Sequence, residues 1–226
     1  MFAKQIALAG AALLLSAGAS AQVGITADLG TTGVGAHLVV PMETYLNGRF
    51  GINYFKHDFS KTSGSVAYDV DGKLQSVDIL FDWYLREGSS FHVTGGVLYN
   101  GNRLDAHAKP NANGTFALNG TGYTTANIGG LNGTVDYRKA APYIGIGWGN
   151  PLAGAKNGRG WSFNSDIGVF YMGNPNVKLV NWSCTLGTTG CATLAKNIEV
   201  ERVKLQEDFD DLKVYPVLRA SVSYAF

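Results

Sequence analysis

Apolar and polar residues alternate along the last stretch of the chain, residues 214–226. One phase of the stretch is polar at Arg219, Ser221 and Ser223. The opposite phase is apolar or aromatic and comprises Val214, Leu218, Ala220, Val222, Tyr224 and Phe226. Successive side chains of a β-strand point to opposite faces, so this pattern predicts a strand with one polar and one apolar face.

The same alternation recurs along much of the chain. The apolar faces of further strands are Phe50, Ile52 and Tyr54; Val77, Ile79, Phe81, Trp83 and Leu85; Phe91, Val93, Val97 and Tyr99; Ile144, Ile146 and Trp148; and Trp161, Phe163, Ile167, Val169 and Tyr171. Near the start, the apolar phase flips across residues 31–33, which favours a hairpin over one bulged strand. The pattern predicts an all-β fold, an antiparallel up-and-down arrangement that reaches eight strands if the hairpin forms.

Three stretches depart from the alternation. Residues 57–71 are polar and predict a loop. Residues 101–134 are rich in Asn, Gly and Thr, and they predict a long surface loop with room for a hairpin. Residues 197–212 begin with a candidate N-cap, Asn197. They carry apolar residues at helical spacing, namely Ile198, Leu205, Phe209 and Leu212. We therefore expect a short helix before the last strand.

Residues 1–21 have the three parts of a secretory signal peptide. Lys4 supplies the positive charge, residues 6–15 form an apolar run, and residues 19–21 read Ala-Ser-Ala, a cleavage signal. The apolar run is too short for a membrane anchor. We predict an exported mature protein, residues 22–226, that forms a single barrel domain.

Charge and composition narrow the classes of function. The net charge is +1, so no strong positive field predicts a nucleic-acid partner. No later segment approaches the ~20 apolar residues of a spanning helix, so a membrane position would require a closed barrel without open strand edges. The apolar face is bulky and rimmed with Trp and Tyr, as an interfacial belt is. Three features together predict a transmembrane β-barrel in the outer membrane, in contact with its lipid: export, this apolar face, and a closing strand that resembles the last strand of bacterial outer-membrane barrels.

The chain resembles the OmpA/OmpW-like family of small outer-membrane β-barrels of Gram-negative bacteria. The resemblance rests on residues 41–47 between two alternating strands, on residues 141–149 (APYIGIGWG) and on the closing residues 221–226 (SVSYAF). It implies eight antiparallel strands, periplasmic termini and longer outer loops. It also implies that Val222, Tyr224 and Phe226 form the signal that the barrel-insertion machinery reads. These motifs indicate architecture and leave any extracellular ligand unidentified.

The polar face supplies the candidate functional residues. Arg49 and Arg219 share it with Asp78, Asp82 and Asp166, which predicts a lumen charge network, because an unpaired buried charge is costly. Such a network could be a plug that fills a narrow lumen or a selective constriction in a channel. We favour the plug, and with it a structural or interaction role; a narrow channel for small molecules is the alternative.

Enzyme chemistry has little support in the sequence. Asp78 and Asp82 lie four residues apart on one strand, roughly 13 Å, too far to share a reaction centre. A lipid-modifying enzyme, which His57 and Ser60 would have to serve, is less favoured because no triad is visible. We therefore predict no enzyme, no catalytic residue and no cofactor.

Two cysteines bracket a short polar segment. In an oxidising compartment, Cys184 and Cys191 are expected to form a disulfide. Two thiols with no histidine beside them make a poor ligand set, so we predict no metal site.

Overall fold

The structure is a computed structural model that describes residues 22–63, 66–152 and 159–226. The predicted signal peptide, residues 1–21, lies outside the described residues. In chain order the elements are β1 (Gly24–Gly30), β2 (Gly33–Glu43), β3 (Leu46–Ser63), β4 (Val66–Tyr84), β5 (Phe91–Asn100), β6 (Arg103–Lys109), β7 (Thr115–Leu118), β8 (Thr121–Thr124), α1 (Thr125–Ile128), β9 (Leu131–Asp136), β10 (Ala140–Trp148), β11 (Gly160–Tyr171), β12 (Asn176–Asn181), α2 (Gly187–Phe209) and β13 (Val214–Ala225).

Eight strands close into a barrel. Neighbours pair antiparallel in the order β1, β2, β3, β4, β5, β10, β11 and β13, and β13 pairs with β1 again. This is the order of the chain apart from inserted segments, so the barrel is of the up-and-down type. The predicted fold class is confirmed. So is the first hairpin, in which Ala27 lies opposite Ala36.

The two ends of the barrel differ in their connections. At one end, which we name the turn end, residues 44–45 join β2 to β3 and residues 85–90 join β4 to β5. Gly24 and Ala225 pair at this end, so the first strand begins and the last strand ends there. The opposite end carries most of the inserted elements.

The inserted elements form a second layer that we name the cap. The distal halves of β3 and β4 extend beyond the ring, and β6, β9 and β12 add to the free edge of β4 in that order. The β7–β8 hairpin and both helices complete the cap. Its apolar core consists of Val66, Tyr68, Val70, Phe116, Leu118, Tyr123, Ile128, Leu131, Leu179, Leu194 and Ile198.

The cap corrects two loop predictions. Residues 57–71 are not a loop, because the β3–β4 register continues to Ser63 opposite Val66. Residues 55–60 are exposed on both faces of β3, so their sequence carries no apolar phase. Residues 101–134 contain β6, β7, β8, α1 and most of β9, strands too short to give a sustained period.

The predicted helix is present and longer than expected. It begins at Gly187 instead of Asn197 and ends at Phe209, so Asn197 lies inside it and is no N-cap. The first turns are rich in glycine and threonine, which have low helix propensity and hide the helix in the sequence. No helix in the described part of the chain is long and apolar enough to cross a membrane.

Candidate functional site: the charged lumen

The polar phase of each barrel strand points into the lumen. Every second residue of a strand faces inward, so the ring strands bring their polar side chains together. The buried polar residues at the centre of the barrel are Asp28, His37, Arg49, Asn53, Asp78, Asp82, His92, Thr94, Asp166 and Arg219. They form two clusters.

The first group, the Arg49 cluster, joins β3, β4, β5 and β11. Arg49 donates two hydrogen bonds of 2.9 Å to the two oxygens of Asp166. Its Nε lies 2.7 Å from Asp82 Oδ2. Thr94 donates to the other oxygen of Asp82 at 2.7 Å, and His92 Nε2 lies 3.3 Å from Asp166. All three guanidinium nitrogens thus face carboxylate oxygens, the strongest geometry available to a buried arginine.

The second group, the Arg219 cluster, joins β1, β2, β3, β4 and β13. His37 lies between two carboxylates, with Nδ1 2.7 Å from Asp28 and Nε2 2.9 Å from Asp78. Arg219 approaches the same carboxylates, at 3.3 Å from Asp28 and 3.6 Å from Asp78. Asn53 donates to Asp78 at 2.8 Å. Arg219 also lies opposite Asp166 in the β11–β13 register, so the two clusters adjoin.

Each cluster contains two aspartates, one arginine and one histidine. A buried charge is costly unless it is paired and hydrogen-bonded. Each imidazole has a ring nitrogen within 3.3 Å of a carboxylate oxygen of its cluster. The histidines are therefore part of the charge network and not bystanders.

An apolar layer lies on the cap side of the clusters, where the lumen meets the cap. Its buried members are Leu80, Leu98, Val135, Tyr137, Ala141, Tyr143, Phe170, Met172, Val177 and Val217. Leu205 and Phe209 of α2 pack against it from the cap. The Tyr143 ring lies over Gly145, where an added Cβ would come within 2.6 Å of the phenol oxygen. The absence of a side chain at Gly145 leaves room for the large Tyr143 ring inside the narrow barrel.

The structure brings the five predicted lumen residues together, divided between the two clusters. Arg49, Asp82 and Asp166 lie in the first cluster, and Asp78 and Arg219 in the second. Sequence reasoning omitted Asp28, His37 and His92 from the network. The alternation of each strand could have found them, because Asp28, His37 and His92 each lie at a position whose side chain points into the lumen.

One trio of the Arg49 cluster has the geometry of a metal site. The ligand atoms of Asp82, His92 and Asp166 all lie within 4.8 Å of one another. Arg49 already bonds both carboxylates, as a cation between them would. We therefore interpret the trio as part of the ion-pair network.

The residues considered for enzyme chemistry do not converge. Asp78 and Asp82 belong to different clusters. His57 is stacked between Phe55 and Phe59, with ring centroids 6.1 and 6.2 Å away. Ser60 lies on the opposite face of β3 and donates to Asp69 at 2.7 Å. A His57–Ser60 pair is therefore not formed.

The cysteine pair and the closing strand have structural roles. Cys184 and Cys191 are joined by a disulfide that ties the first turns of α2 to the preceding segment. β13 pairs with both β1 and β11 and closes the ring. Tyr224 contacts Phe226 at 5.1 Å between ring centroids, and the backbone N–H of Phe226 donates to Val23 at 2.9 Å.

The exterior of the barrel is the reverse of a soluble protein surface. Its exposed side chains include Ile25, Leu29, Val34, Ile52, Val77, Ile79, Trp83, Leu85, Val97, Ile144, Ile146, Trp148, Phe163, Ile167 and Leu218. An interior lined with polar side chains and an apolar outer band define the class of transmembrane β-barrels.

Solved structures of this class resemble the chain. A crystal structure of Acinetobacter baumannii CarO is 24% identical, covers 90% of this chain and 97% of its own, and superposes with a TM-score of 0.53. A crystal structure of CarO2 of the same organism is also 24% identical, covers 92% of this chain and 100% of its own, and has a TM-score of 0.56. At this identity the likeness shows the barrel fold. No protein-family model and no curated protein sequence matches the chain.

Proposed function

We propose that the chain is a small outer-membrane barrel of the OmpA/OmpW-like kind whose lumen is closed and whose cap carries an interaction role. Residues 1–21 would direct export, and Val222, Tyr224 and Phe226 would be read by the insertion machinery. The observation that supports closure best is the stack of two different layers in one lumen. A charged layer and an apolar layer follow one another along the barrel axis.

The apolar outer band supports the membrane position. Trp83, Trp148 and Trp161 lie exposed near the turn end, and Tyr54 and Tyr171 lie exposed near the cap end. Between Trp161 and Tyr171, β11 rises about 33 Å at ~3.3 Å per residue. With a strand tilt of about 40°, the band is ~25 Å tall, the height of the apolar band of outer-membrane barrels. Short connections at the turn end would then face the periplasm, and the cap would face outward.

The two layers oppose passage in different ways. The charged layer holds its side chains by paired hydrogen bonds, so an ion that enters must displace a bonded partner. The apolar layer offers no compensation for the lost hydration of an ion. A solute that one layer tolerates is therefore opposed by the other.

Single-channel conductance in a planar bilayer tests the closed lumen. The refolded barrel should be silent, and Arg219→Ala alone should leave it silent because the apolar layer remains. Arg219→Ala combined with Phe170→Ala removes bulk from both layers and should give discrete openings. Leu218→Ala, on the lipid-facing side of the same strand, is the control. Wild-type openings that Arg219→Ala enlarges would support the narrow channel instead.

A further inference from the structure

A cleft in the cap lies between the last turns of α2 and the inner face of the extended sheet. We name it the cap cleft. Its volume is about 120 Å³. Its lining includes Tyr68, Val70, Leu104, Ala106, Gly133 and Leu205. Phe59, which is 40% exposed, lies at its rim.

The lining of the cap cleft is almost wholly hydrocarbon. Val70 and Tyr68 form its floor and belong to the buried cap core. Burial, with a further contribution from Glu201, raises the pKa of Tyr68 to about 12, which agrees with a weakly hydrated surrounding. Water has few polar partners in such a space, so an apolar cleft of this size favours an apolar occupant.

A second apolar space of about 260 Å³ adjoins the cap cleft. Leu104 and Phe209 line both spaces, so the two are neighbouring compartments. The second space is lined by Tyr137 and Met172 of the apolar layer and by Tyr215, which packs against that layer. An occupant could therefore reach the cleft from the cap side without passing the charged clusters.

Size and charge select the class of ligand. An apolar cavity of about 150 Å³ accommodates benzene, so the cap cleft fits a molecule of about one ring. The lining is almost wholly apolar and does not replace the hydration that a charged ligand of either sign would lose. The nearby Arg103 is engaged by Asp105, with its Nε 2.8 Å from each carboxylate oxygen. An uncharged ligand is thus preferred.

We propose that the cap cleft is a binding site for a small uncharged apolar molecule of about one aromatic ring. The proposal rests on the proposed function, because it gives the interaction role of the cap a site and a ligand class. A ligand of this size gains dispersion contacts with Val70, Leu104 and Leu205 that the unfilled cleft lacks. Binding needs no movement of the lumen network.

Benzene titrated into the full-length mature barrel in lipid nanodiscs tests the site. Methyl NMR signals of Val70, Leu104 and Leu205 should shift saturably, whereas lipid-facing methyls such as those of Ile52 should shift in proportion to the benzene dissolved in the bilayer. Benzoate, the same ring with a negative charge, should bind at least about tenfold more weakly to the apolar site. No saturable shift with benzene would overturn the proposal.

Two alanines of β6 provide a matched pair of variants. Ala106 lines the cleft, and Ala108 lies on the same face of the strand against the cap core but outside the lining. Ala106→Leu should weaken benzene binding at least about tenfold by filling the space, and Ala108→Leu should leave it unchanged. Equal saturable binding in wild type and Ala106→Leu would contradict the assignment.

If Ala106→Leu does not fold, Gly133→Ala is a smaller substitution that tests the same cleft. An added Cβ at Gly133 would lie 3.5 Å from Ala106 Cβ and 3.6 Å from Leu179, which are ordinary contacts. Gly133→Ala should therefore fold and bind benzene more weakly than wild type. Conductance is measured separately. If the barrel conducts ions and still binds benzene, the closed lumen is rejected and the cleft site stands. If the barrel is silent and does not bind benzene, the cleft site is rejected and the closed lumen stands.

Discussion

Arg49 and Asp166 are joined by two parallel hydrogen bonds of 2.9 Å, although 117 residues separate them. Arg49 lies on β3 and Asp166 on β11, which are on opposite sides of the ring. The pair therefore spans the lumen and cross-links strands that share no backbone hydrogen bond. It links opposite walls of the barrel by side chains alone.

Arg49→Met should destabilise the barrel strongly. The substitution keeps most of the side-chain volume but leaves Asp82 and Asp166 buried without their cation. Breaking a buried ion pair from one side costs about 3–5 kcal/mol. Urea unfolding of the barrel in lipid vesicles, followed by heat-modifiable gel migration, measures the loss.

Neutralising the partners should recover much of that loss. In the triple variant Arg49→Met, Asp82→Asn, Asp166→Asn, no fixed charge of this cluster is left unpaired, and replacement of a whole buried ion-pair group is often near neutral. If the triple variant were as unstable as Arg49→Met, the loss would come from packing and not from charge.

Gly51→Ala should be destabilising although it lies in the middle of a strand. An added Cβ at Gly51 would collide with the His37 imidazole, which itself is held by Asp28 and Asp78. Overpacking of this kind costs about 1–3 kcal/mol. Unfolding in urea measures the effect.

Gly95→Ala is the matched control for Gly51→Ala. No atom lies within 4 Å of the Cβ that it would add, so its stability should equal that of the wild type or exceed it slightly. His37→Ala combined with Gly51→Ala should show a favourable coupling energy, since the double variant has no imidazole to strike. Strict additivity would mean that the clash is not the cause.

The barrel could be predicted from the sequence because its signal is local. Phe50, Ile52 and Tyr54 alternate with inward residues, and a closed ring repeats that rule on every strand. The pairing inside the lumen is different. The sequence places Arg49 and Asp166 on the polar faces of their strands. Which carboxylate pairs with which arginine depends on strand order and register, and these are set only when the barrel closes.

The cap could not be predicted by the same rule. Leu104 and Ala106 on β6 and Val177 and Leu179 on β12 are short inward sets that give no sustained period. The apolar layer was also hidden, because Phe170 and Val217 lie on the phase that carries charge elsewhere on their strands. Apolar residues on an inward phase are the signal that would have found it.

Arg103→Gln should raise the pKa of Asp105. Hydrogen bonds from Arg103, with a smaller contribution from Thr134, hold the pKa of this carboxyl below its ordinary value. A depressed folded-state pKa means that the interaction stabilises the cap above the unfolded pKa and that this stability is lost as the pH falls through the folded one. Carbon-detected NMR titration of the carboxyl measures the shift.

Added salt should reduce the difference in the pKa of Asp105 between wild type and Arg103→Gln. Both side chains are more than a third exposed, so their interaction is screened and contributes little to global stability. A pKa of Asp105 that does not respond to Arg103→Gln would show that the hydrogen bonds are not maintained in solution. Arg202→Gln, which removes another ion pair of the cap, with Glu199 on α2, should leave the pKa of Asp105 unaffected.

Removal of the disulfide should loosen the cap and leave the barrel intact. Cys184 and Cys191 are seven residues apart, and closing so short a loop restricts the unfolded chain by about 2–3 kcal/mol. The first turns of α2 have no side-chain N-cap and are rich in glycine, so they depend on the cross-link. Because Leu194 and Ile198 follow in the same helix and belong to the cap core, fraying at the start should spread to that core.

The double variant Cys184→Ser, Cys191→Ser tests whether the cap and the barrel ring unfold independently. Amide hydrogen exchange in α2 and β12 should accelerate, because the helix contacts that strand, while exchange in β1 and β13 should not change. Heat-modifiable migration, which reports the ring, should be the same as in the wild type. Faster exchange throughout the barrel strands would mean that cap and ring unfold as one unit, and that the cap stabilises the barrel against which α2 packs.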